Sequence, residues 1–369
     1  MPAVVRRSLL VAIPPWLVSR GLAGLALWIA WLRHGHRFPV AGHGAPGATG
    51  IWAWDAAWYR SIAEHGYAGQ LHPHGERFFP LLPLLGRWVG AAIGGHPGIA
   101  LVLLVNLAAL GFGAGVAALT LRELGPKVAV PATWLTMLAP GGVVLATAYA
   151  EAVAGLLAVL YLLAVRSVGR SVWWAVPIGV LAGLARPTGF LLAVVPVVEL
   201  WVRRREQLSQ DLVRLGAAMV APVVGAAIYC LWTAAVDDDL LLPFTAQSAP
   251  GLRGGVLANP LRGLFTAPNH AGMPVPLRVA VVLLALTLLV LTWQRLPRSI
   301  AVWATLLFVA AVTSAQGTSL PRYLSADFPL LMALATVVEG RARVIAVSAA
   351  SALAFVVVGA SGFGAGMVF

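Results

Sequence analysis

Charge is scarce in this chain of 369 residues. Only 10% of the residues are Asp, Glu, Lys or Arg, whereas 60% are hydrophobic. Since a soluble domain carries about 25% charged residues, the composition excludes an ordinary soluble enzyme. It predicts one integral membrane domain over residues 1–369. Lipid offers the backbone no hydrogen-bonding partner, so the spans are predicted to be helices and the fold to be all-α.

Cysteine and acidic residues are also few. The single cysteine, Cys230, lies in an apolar run, and one cysteine excludes an intrachain disulfide. The chain has 13 acidic residues against 25 Lys and Arg, for a formal net charge of +12. Such an excess can indicate nucleic-acid binding, but here the arginines lie mostly in short loops between apolar runs. Membrane anchoring explains that placement better, so nucleic acid is not an expected partner.

Long apolar runs follow one another along the chain. With the first run they predict about eleven transmembrane helices and no internal repeat. After the first span, the predicted spans are 99–121, 128–147, 149–167, 172–186, 187–202, 212–236, 277–294, 298–315, 322–339 and 343–366. Two long loops interrupt them, at 35–98 and 237–276. The short apolar stretch 81–93 within the first loop is predicted to lie along the membrane surface.

Basic clusters set the expected orientation. If the spans alternate, one side receives Arg6/Arg7, Arg122/Lys127, Arg166/Arg170, Arg203–Arg205 with Arg214, Arg295/Arg298 and Arg341/Arg343. The other side receives the acidic run Asp237–Asp239. By the positive-inside rule the N-terminus is cytoplasmic. We therefore expect a multi-pass protein of the plasma membrane with both long loops on the extracytoplasmic side.

Arg20 stands inside the first apolar run. A helix beginning near Ser8 would place it at mid-bilayer, at a cost of about 2.5–3.5 kcal/mol. Proline is favoured in the first turn of a helix, so the helix is predicted to begin at Pro14–Pro15. Arg20 would then lie one turn after the start of the helix, and its side chain would reach the cytoplasmic surface.

The first long loop surrounds one acid with aromatic residues. Asp55 lies among Trp52, Trp54, Trp58 and Tyr59. Tryptophan and tyrosine also collect at membrane surfaces, so an aromatic belt is the alternative interpretation. A belt needs no carboxylate, however, and at helical spacing Asp55 and Tyr59 share a face. The pattern favours a carboxylate at the edge of a sugar-sized, aromatic-walled pocket.

The order of these residues resembles a known family. The sequence WDAAWY at 54–59, then GY at 66–67 and FFPLLPLL at 78–85, is similar to the first extracytoplasmic loop of the PIG-V family. This is the GPI mannosyltransferase 2 family with its bacterial relatives. YAE at 149–151, ARPTG at 185–189 and PRY at 321–323 resemble further family elements. The similarity covers about 52–190 and 320–330.

The resemblance implies a GT-C-type fold and a glycosyltransferase that uses no cofactor. The implied reaction moves mannose, with inversion, from a polyprenyl-phosphate-mannose donor to a glycolipid, lipoglycan or protein acceptor on the extracytoplasmic face. A phosphate leaving group is a weak base that needs no protonation, so one carboxylate can suffice. Asp55 fits this base, which removes the proton of the acceptor hydroxyl.

Cations must hold the phosphate's charge, and arginine does so with a planar fork of donors. Arg186 and Arg322 fit this role because both stand on the outer side, against the charge bias, beside prolines. Glu151 fits an acid that orients an arginine or binds acceptor hydroxyls, but a buried structural partner fits equally well. The remaining predicted substrate-binding residues are Trp54, Trp58, Tyr59 and Tyr323.

Other chemistry is less well supported. The pairs His34/His36 and His72/His74 have loose spacing and no carboxylate cluster beside them, so no metal site is expected. Glu64 is expected to be a solvated loop acid. A lipid or glycolipid transporter or flippase is the alternative function, but it predicts inverted repeats and charges near the midplane. A catalytically inactive assembly subunit is a third interpretation that the sequence leaves open.

The orientation can be tested with topology reporters. A reporter fused after Arg205 should be cytoplasmic, and one fused after Asp239 should be extracytoplasmic, because the basic clusters set the alternation. Accessibility of each reporter to a membrane-impermeant reagent in intact cells measures this. Finding both reporters on the same side would overturn the predicted arrangement and the exposure of Asp55 to the outside.

Overall fold

A computed structural model describes residues 2–36, 50–68, 74–167, 169–202, 205–246, 274–313 and 320–364. Within those ranges every regular element is helical, which confirms the predicted all-α class. The α-helices are α1 Pro2–Arg33, α2 Asp55–His65, α3 Leu81–Ala92, α4 Pro97–Glu123, α5 Pro126–Met137, α6 Glu151–Val165, α7 Ala175–Ala185, α8 Val194–Val202, α9 Arg205–Asp237, α10 Leu242–Thr245, α11 Val275–Arg295, α12 Arg298–Thr313, α13 Leu320–Ala326, α14 Phe328–Ala335 and α15 Arg341–Phe363. Short 3-10 helices cover Gly50–Trp52, Gly75–Arg77, Pro140–Leu145, Gly169–Trp174 and Pro187–Ala193.

Five of the described helices are long and apolar enough to cross a membrane. They lie within α1, α4, α9, α11 and α15, and shorter apolar helices accompany them. Four predicted spans are divided in the structure. The span 128–147 is α5 followed by a 3-10 helix, and the span 322–339 is split between α13 and α14. The spans 172–186 and 187–202 each begin as a 3-10 helix that is followed by α7 or α8. The total of eleven spans therefore stays a prediction. Much of the predicted second long loop lies outside the described residues.

The predicted start of the first helix is wrong. Helix α1 begins at Pro2 and continues through Pro14 and Pro15. Proline inside a helix removes one backbone hydrogen bond. In a membrane this is tolerated where neighbouring groups satisfy the freed backbone atoms. Helix α1 packs against α4, α5 and α15, so it lies within the bundle.

Arg20 consequently points into the protein and not toward a membrane surface. Its Nε donates to Oδ1 of Asn106 on α4 at 2.8 Å, and its terminal nitrogen donates to the carbonyl of Leu145. The amide of Asn106 donates to the carbonyl of Ala146 at 3.3 Å. These contacts satisfy backbone oxygens where the chain leaves the 3-10 helix 140–145. They hold the segment that leads directly to Glu151.

An ionic cluster lies at the C-terminal end of α6. Arg166 donates to both oxygens of Glu123, at 2.9 and 3.0 Å, and also contacts Glu199 and Ser299. The last residues of α4, α6 and α8 therefore meet the first turn of α12 on one side of the bundle. A 15-residue helix is about 22 Å long. Glu151 and Arg166 thus mark opposite ends of the bundle along α6, as the alternation of spans predicts.

Helices α7 and α9 touch through glycines. A Cβ added at Gly183 would lie 2.1 Å from the carbonyl oxygen of Pro222, and one added at Gly225 would lie 2.0 Å from the carbonyl oxygen of Val180. Side chains would hold the two backbones apart, so the missing Cβ atoms allow this contact. Since α7 ends at Ala185, this helix crossing fixes the position of the backbone from which the Arg186 side chain extends.

This close crossing yields a stability prediction. Gly225→Ala should lower the free energy of unfolding by about 1–3 kcal/mol, because the added methyl group overlaps backbone atoms of α7. Gly216→Ala on the same helix has nothing within 4 Å of the added Cβ and should be neutral or stabilising. Thermal unfolding in detergent micelles compares the two. Equal melting temperatures would contradict the close α7–α9 packing.

Candidate functional site

The predicted acid begins a helix that follows a constrained residue. Asp55 is the first residue of α2, and Trp54 before it has φ 58° and ψ −126°. This positive φ costs a non-glycine residue about 1–3 kcal/mol, and such positions concentrate at functional sites. The indole of Trp54 donates to the carbonyl of Gly362 on α15 at 3.1 Å. The first loop is thereby attached to the last helix, and the position of Asp55 is fixed.

Asp55 forms an ion pair with Arg322. Its Oδ2 lies 2.5 Å from a terminal nitrogen of the guanidinium, and the residues are 267 positions apart. The side chain of Arg322 is 6% exposed and that of Asp55 is 24% exposed. A buried guanidinium requires compensation of its charge. Asp55 supplies part of that compensation and keeps one side open to solvent.

Glu151 supplies further negative charge to Arg322 and connects this arginine to Arg186. Its Oε1 lies 3.2 Å from Nε of Arg322 and 2.7 Å from a terminal nitrogen of Arg186. The side chain of Glu151 is only 4% exposed, and it opens α6, where the helix dipole favours a negative charge. Asp55, Arg322, Glu151 and Arg186 thus form one chain of alternating charges, called here the charged network. The structure brings together four residues predicted from four separate stretches of sequence.

Tyrosines line the charged network. The hydroxyl of Tyr323 accepts a hydrogen bond from Arg322 at 3.1 Å, and its ring lies 4.8 Å from that guanidinium and 5.6 Å from that of Arg186. On another side, the ring of Tyr149 lies 5.5 Å from the guanidinium of Arg322. Tyr323 was expected here. Tyr149 lies in the YAE motif, but sequence reasoning gave it no role.

Trp58 and Tyr59 form an aromatic wall with Phe78. Trp58 stacks on Phe78 with ring centroids 5.5 Å apart, and Tyr59 meets Phe78 edge-on at 5.1 Å. Both residues of α2 are buried, so the wall is part of the core. Burial, reinforced by the negative charge of Glu151, raises the pKa of Tyr59. Tyr59 is therefore a neutral phenol next to the charged network.

Sequence reasoning missed Arg77. Its guanidinium lies 5.1 Å from the ring centroid of Trp58 and 4.7 Å from that of Phe78. Burial lowers its pKa, and the charge of Asp55 opposes this effect. The usable signal was a basic residue directly before the FFP motif, on the same loop as Asp55.

Two hydroxyl groups fix the backbone around Arg77. Tyr67 donates to the carbonyl of Phe78 at 2.7 Å, and Tyr229 of α9 donates to the carbonyl of Glu76 at 2.9 Å. The first loop is thus attached to α9 at this point as well as to α15. Arg77 therefore extends from a backbone that is held on both sides.

The remaining candidates lie elsewhere. Glu64 is exposed and pairs with Arg60 one turn earlier at 2.8 Å, in agreement with a solvated acid. Among the described residues, no three His, Cys, Asp or Glu side chains are grouped as a metal would require. His72 lies outside the described residues. The charged network and Arg77 are therefore the groups around which a substrate site can be built.

Comparison with known proteins supports the fold. No family model matches the chain. A GPI alpha-1,6-mannosyltransferase 2 from Cricetulus griseus is 39% identical over 113 residues, which cover 28% of this chain and 22% of that protein. The crystal structure of the Archaeoglobus fulgidus oligosaccharyltransferase complex with Zn and sulfate aligns with a TM-score of 0.50 at 16% identity. That alignment covers 93% of this chain and 53% of the other.

The sequence similarity and the structural similarity support different conclusions. The chain spans less than a quarter of the mannosyltransferase and about half of the oligosaccharyltransferase, so neither protein's activity transfers directly. The structural alignment confirms the predicted GT-C-type helical membrane fold.

The charged network predicts that replacing Arg322 destabilises the protein more than replacing Arg186. Arg322→Met should cost about 3 kcal/mol, because it removes the arginine that pairs with Asp55 inside the protein. Arg186→Met should cost less, since Glu151 keeps Arg322 as a partner. Thermal unfolding in detergent measures both, and the double variant Arg322→Met/Asp55→Asn should recover part of the loss. Equal melting temperatures for the two single variants would contradict the central position of Arg322.

Proposed function

We propose that this chain is a membrane glycosyltransferase that moves mannose from polyprenyl-phosphate-mannose to a glycolipid, lipoglycan or protein acceptor, with inversion at the anomeric carbon. The reaction takes place on the extracytoplasmic side. The observation that carries the proposal is the charged network, in which the partly exposed Asp55 pairs with Arg322, and Glu151 joins Arg322 to Arg186. The GT-C-type fold and the similarity over 113 residues to a mannosyltransferase support the same class of reaction.

Asp55 is the catalytic base of this reaction. It accepts the proton of the acceptor hydroxyl while that oxygen forms a bond to the anomeric carbon. The bond from the anomeric carbon to the phosphate oxygen breaks, and the lipid phosphate leaves with the electron pair. Glu151 is less suited to this step, because its side chain is 4% exposed and joins two guanidinium groups. Glu151 instead holds the arginines in place.

Arg186 and Arg322 stabilise the charge on the departing phosphate. Arg322 donates to Asp55 and Tyr323 and lies against Glu151, so its orientation is fixed before substrate binds. Fixed donors near a developing charge need no reorganisation during the reaction. Tyr323 lies against both guanidinium groups and orients them. Trp54, Trp58 and Tyr59 provide the aromatic side of the sugar site.

A transporter or flippase is the second candidate. Helix breaks at residues 138–150 and 186–193 adjoin the charged network, and discontinuous helices beside charged groups also occur in transporters. Purified protein in liposomes, supplied with radiolabelled polyprenyl-phosphate-mannose and a membrane glycolipid extract, separates the two. A transferase moves the label to a new product, whereas a transporter moves the unchanged donor across the bilayer.

The role of Asp55 gives the most direct test. Asp55→Asn should preserve the fold and reduce transfer by about 10²–10⁴-fold, because an amide cannot accept the hydroxyl proton. Asp55→Glu should also fail, since misplacement of the carboxylate by about 1 Å can cost about 100-fold. Initial rates with radiolabelled donor measure both.

Two acidic residues provide the matched controls. Glu64→Gln, on the exposed side of the same helix, should transfer at the wild-type rate. Glu151→Gln should lose activity through displaced arginines and should also melt at a lower temperature. If Asp55→Asn is active while Glu151→Gln is inactive at unchanged stability, the base is Glu151 and the assignment of Asp55 is wrong.

A further inference from the structure

Tyr149 contacts both the loop that carries Asp55 and the guanidinium of Arg322. The residue is buried, with 1% of its surface exposed. Its hydroxyl donates to the carbonyl oxygen of Ala53 at 3.4 Å, and its ring centroid lies 5.5 Å from the guanidinium of Arg322. Ala53 lies two residues before Asp55. One side chain therefore connects the backbone that leads to the acid with the cation that pairs with this acid.

The hydroxyl bonds to a peptide group whose orientation is unusual. The carbonyl of Ala53 belongs to the planar peptide that joins Ala53 to Trp54. The φ angle of Trp54 is the rotation of that plane about the N–Cα bond of Trp54, and its value of 58° is one that non-glycine residues rarely adopt. A donor held against this carbonyl opposes rotation of the plane back to negative φ. Tyr149 thus helps to keep the backbone conformation from which α2 and Asp55 begin.

The bond from Trp54 to Gly362 acts on a different part of the same residue. That bond, at 3.1 Å, holds the indole of Trp54, whereas the hydroxyl of Tyr149 holds the peptide before it. Two separate restraints determine the conformation of Trp54 better than either does alone. The ring of Tyr149 adds an attraction between its π face and the guanidinium of Arg322. The placement of the acid and the placement of its cation therefore both depend on Tyr149.

We propose that Tyr149 is a positioning residue for Asp55, whose hydroxyl holds the Ala53–Trp54 peptide so that the carboxylate can reach the acceptor hydroxyl. This inference rests on the proposed function, in which Asp55 is the base, and adds to it a residue that acts through the base. Misplacement of a catalytic group by about 1 Å can cost about 100-fold in rate. Since the arginines hold the donor phosphate in that proposal, loss of the Tyr149 hydroxyl should impair turnover and not donor binding.

The test is Tyr149→Phe, which removes the hydroxyl and keeps the ring against Arg322. Initial rates are measured with radiolabelled polyprenyl-phosphate-mannose and a membrane glycolipid extract. The kcat should fall by about 10- to 100-fold, because the carboxylate is no longer held in place, while the KM for the donor should hardly change. The double variant Asp55→Asn/Tyr149→Phe should transfer at the same residual rate as Asp55→Asn alone, since no base remains to be positioned.

Tyr161→Phe is the matched control. Tyr161 is also fully buried, and its hydroxyl donates to another alanine carbonyl, that of Ala218 on α9, at 2.7 Å. It lies on α6 about 15 Å along the helix axis from Glu151, away from the charged network. The variant therefore removes the same kind of hydrogen bond far from the candidate site. It should lower the melting temperature at least as much as Tyr149→Phe does, and it should keep the wild-type kcat.

The failures of the two proposals are distinguishable. A wild-type kcat in Tyr149→Phe, or a further loss of rate when this change is added to Asp55→Asn, would overturn the role of Tyr149 and leave the proposed function standing. If Tyr149→Phe does not fold, or loses no more kcat than Tyr161→Phe, the hydroxyl is structural and the inference is wrong. Wild-type protein that transfers no sugar, or Asp55→Asn that transfers at the wild-type rate, would overturn the proposed function and this inference together.

Discussion

The buried guanidinium of Arg322, shared between two carboxylates, is the interaction on which the rest of the site depends. An arginine that is 6% exposed in an apolar bundle requires nearby negative charge. Asp55 and Glu151 meet that requirement only if α2, α6 and α13 approach one another at their ends. The same contacts give the candidate site its shape, so the stability of the bundle and the placement of the proposed base, Asp55, come from one ion-pair chain. Arg186 extends the chain to the end of α7.

The interrupted helices bring these ends together. Residues 138–150 connect α5 to α6 and include a 3-10 helix. Side chains from distant helices form hydrogen bonds with backbone groups of this segment. Arg20 and Asn106 bind the carbonyls at its end, and Ser325 accepts from the amide of Gly141 at 3.0 Å. Irregular backbone at membrane depth is tolerated only with such partners. An arginine and an asparagine inside apolar helices thus support the segment that presents Glu151.

Sequence reasoning singled out residues that the structure brings together, but it did not give their arrangement. Asp55, Arg186 and Arg322 were singled out because a charge in an apolar chain is conspicuous and each lies in a recognisable motif. The start of α1 was mispredicted, because the groups that accept Arg20 lie 86 and 125 residues away and local proline preference points elsewhere. Arg77 was missed for a similar reason. Only the tertiary fold places it over Trp58, so neither periodicity nor composition identifies it.

The separation of Asp55 from Arg322 also has a consequence for biogenesis. The two residues are 267 positions apart, and a ribosome adds about 5–20 residues per second, so roughly 15–50 s pass between their synthesis. The attachment of Trp54 to Gly362 takes longer still, since 308 positions separate the two. The first loop therefore reaches its final position only after α13 and α15 have been synthesised. Throughout that interval the nascent protein contains Asp55 but lacks the arginine that pairs with it, so the charged network cannot yet form.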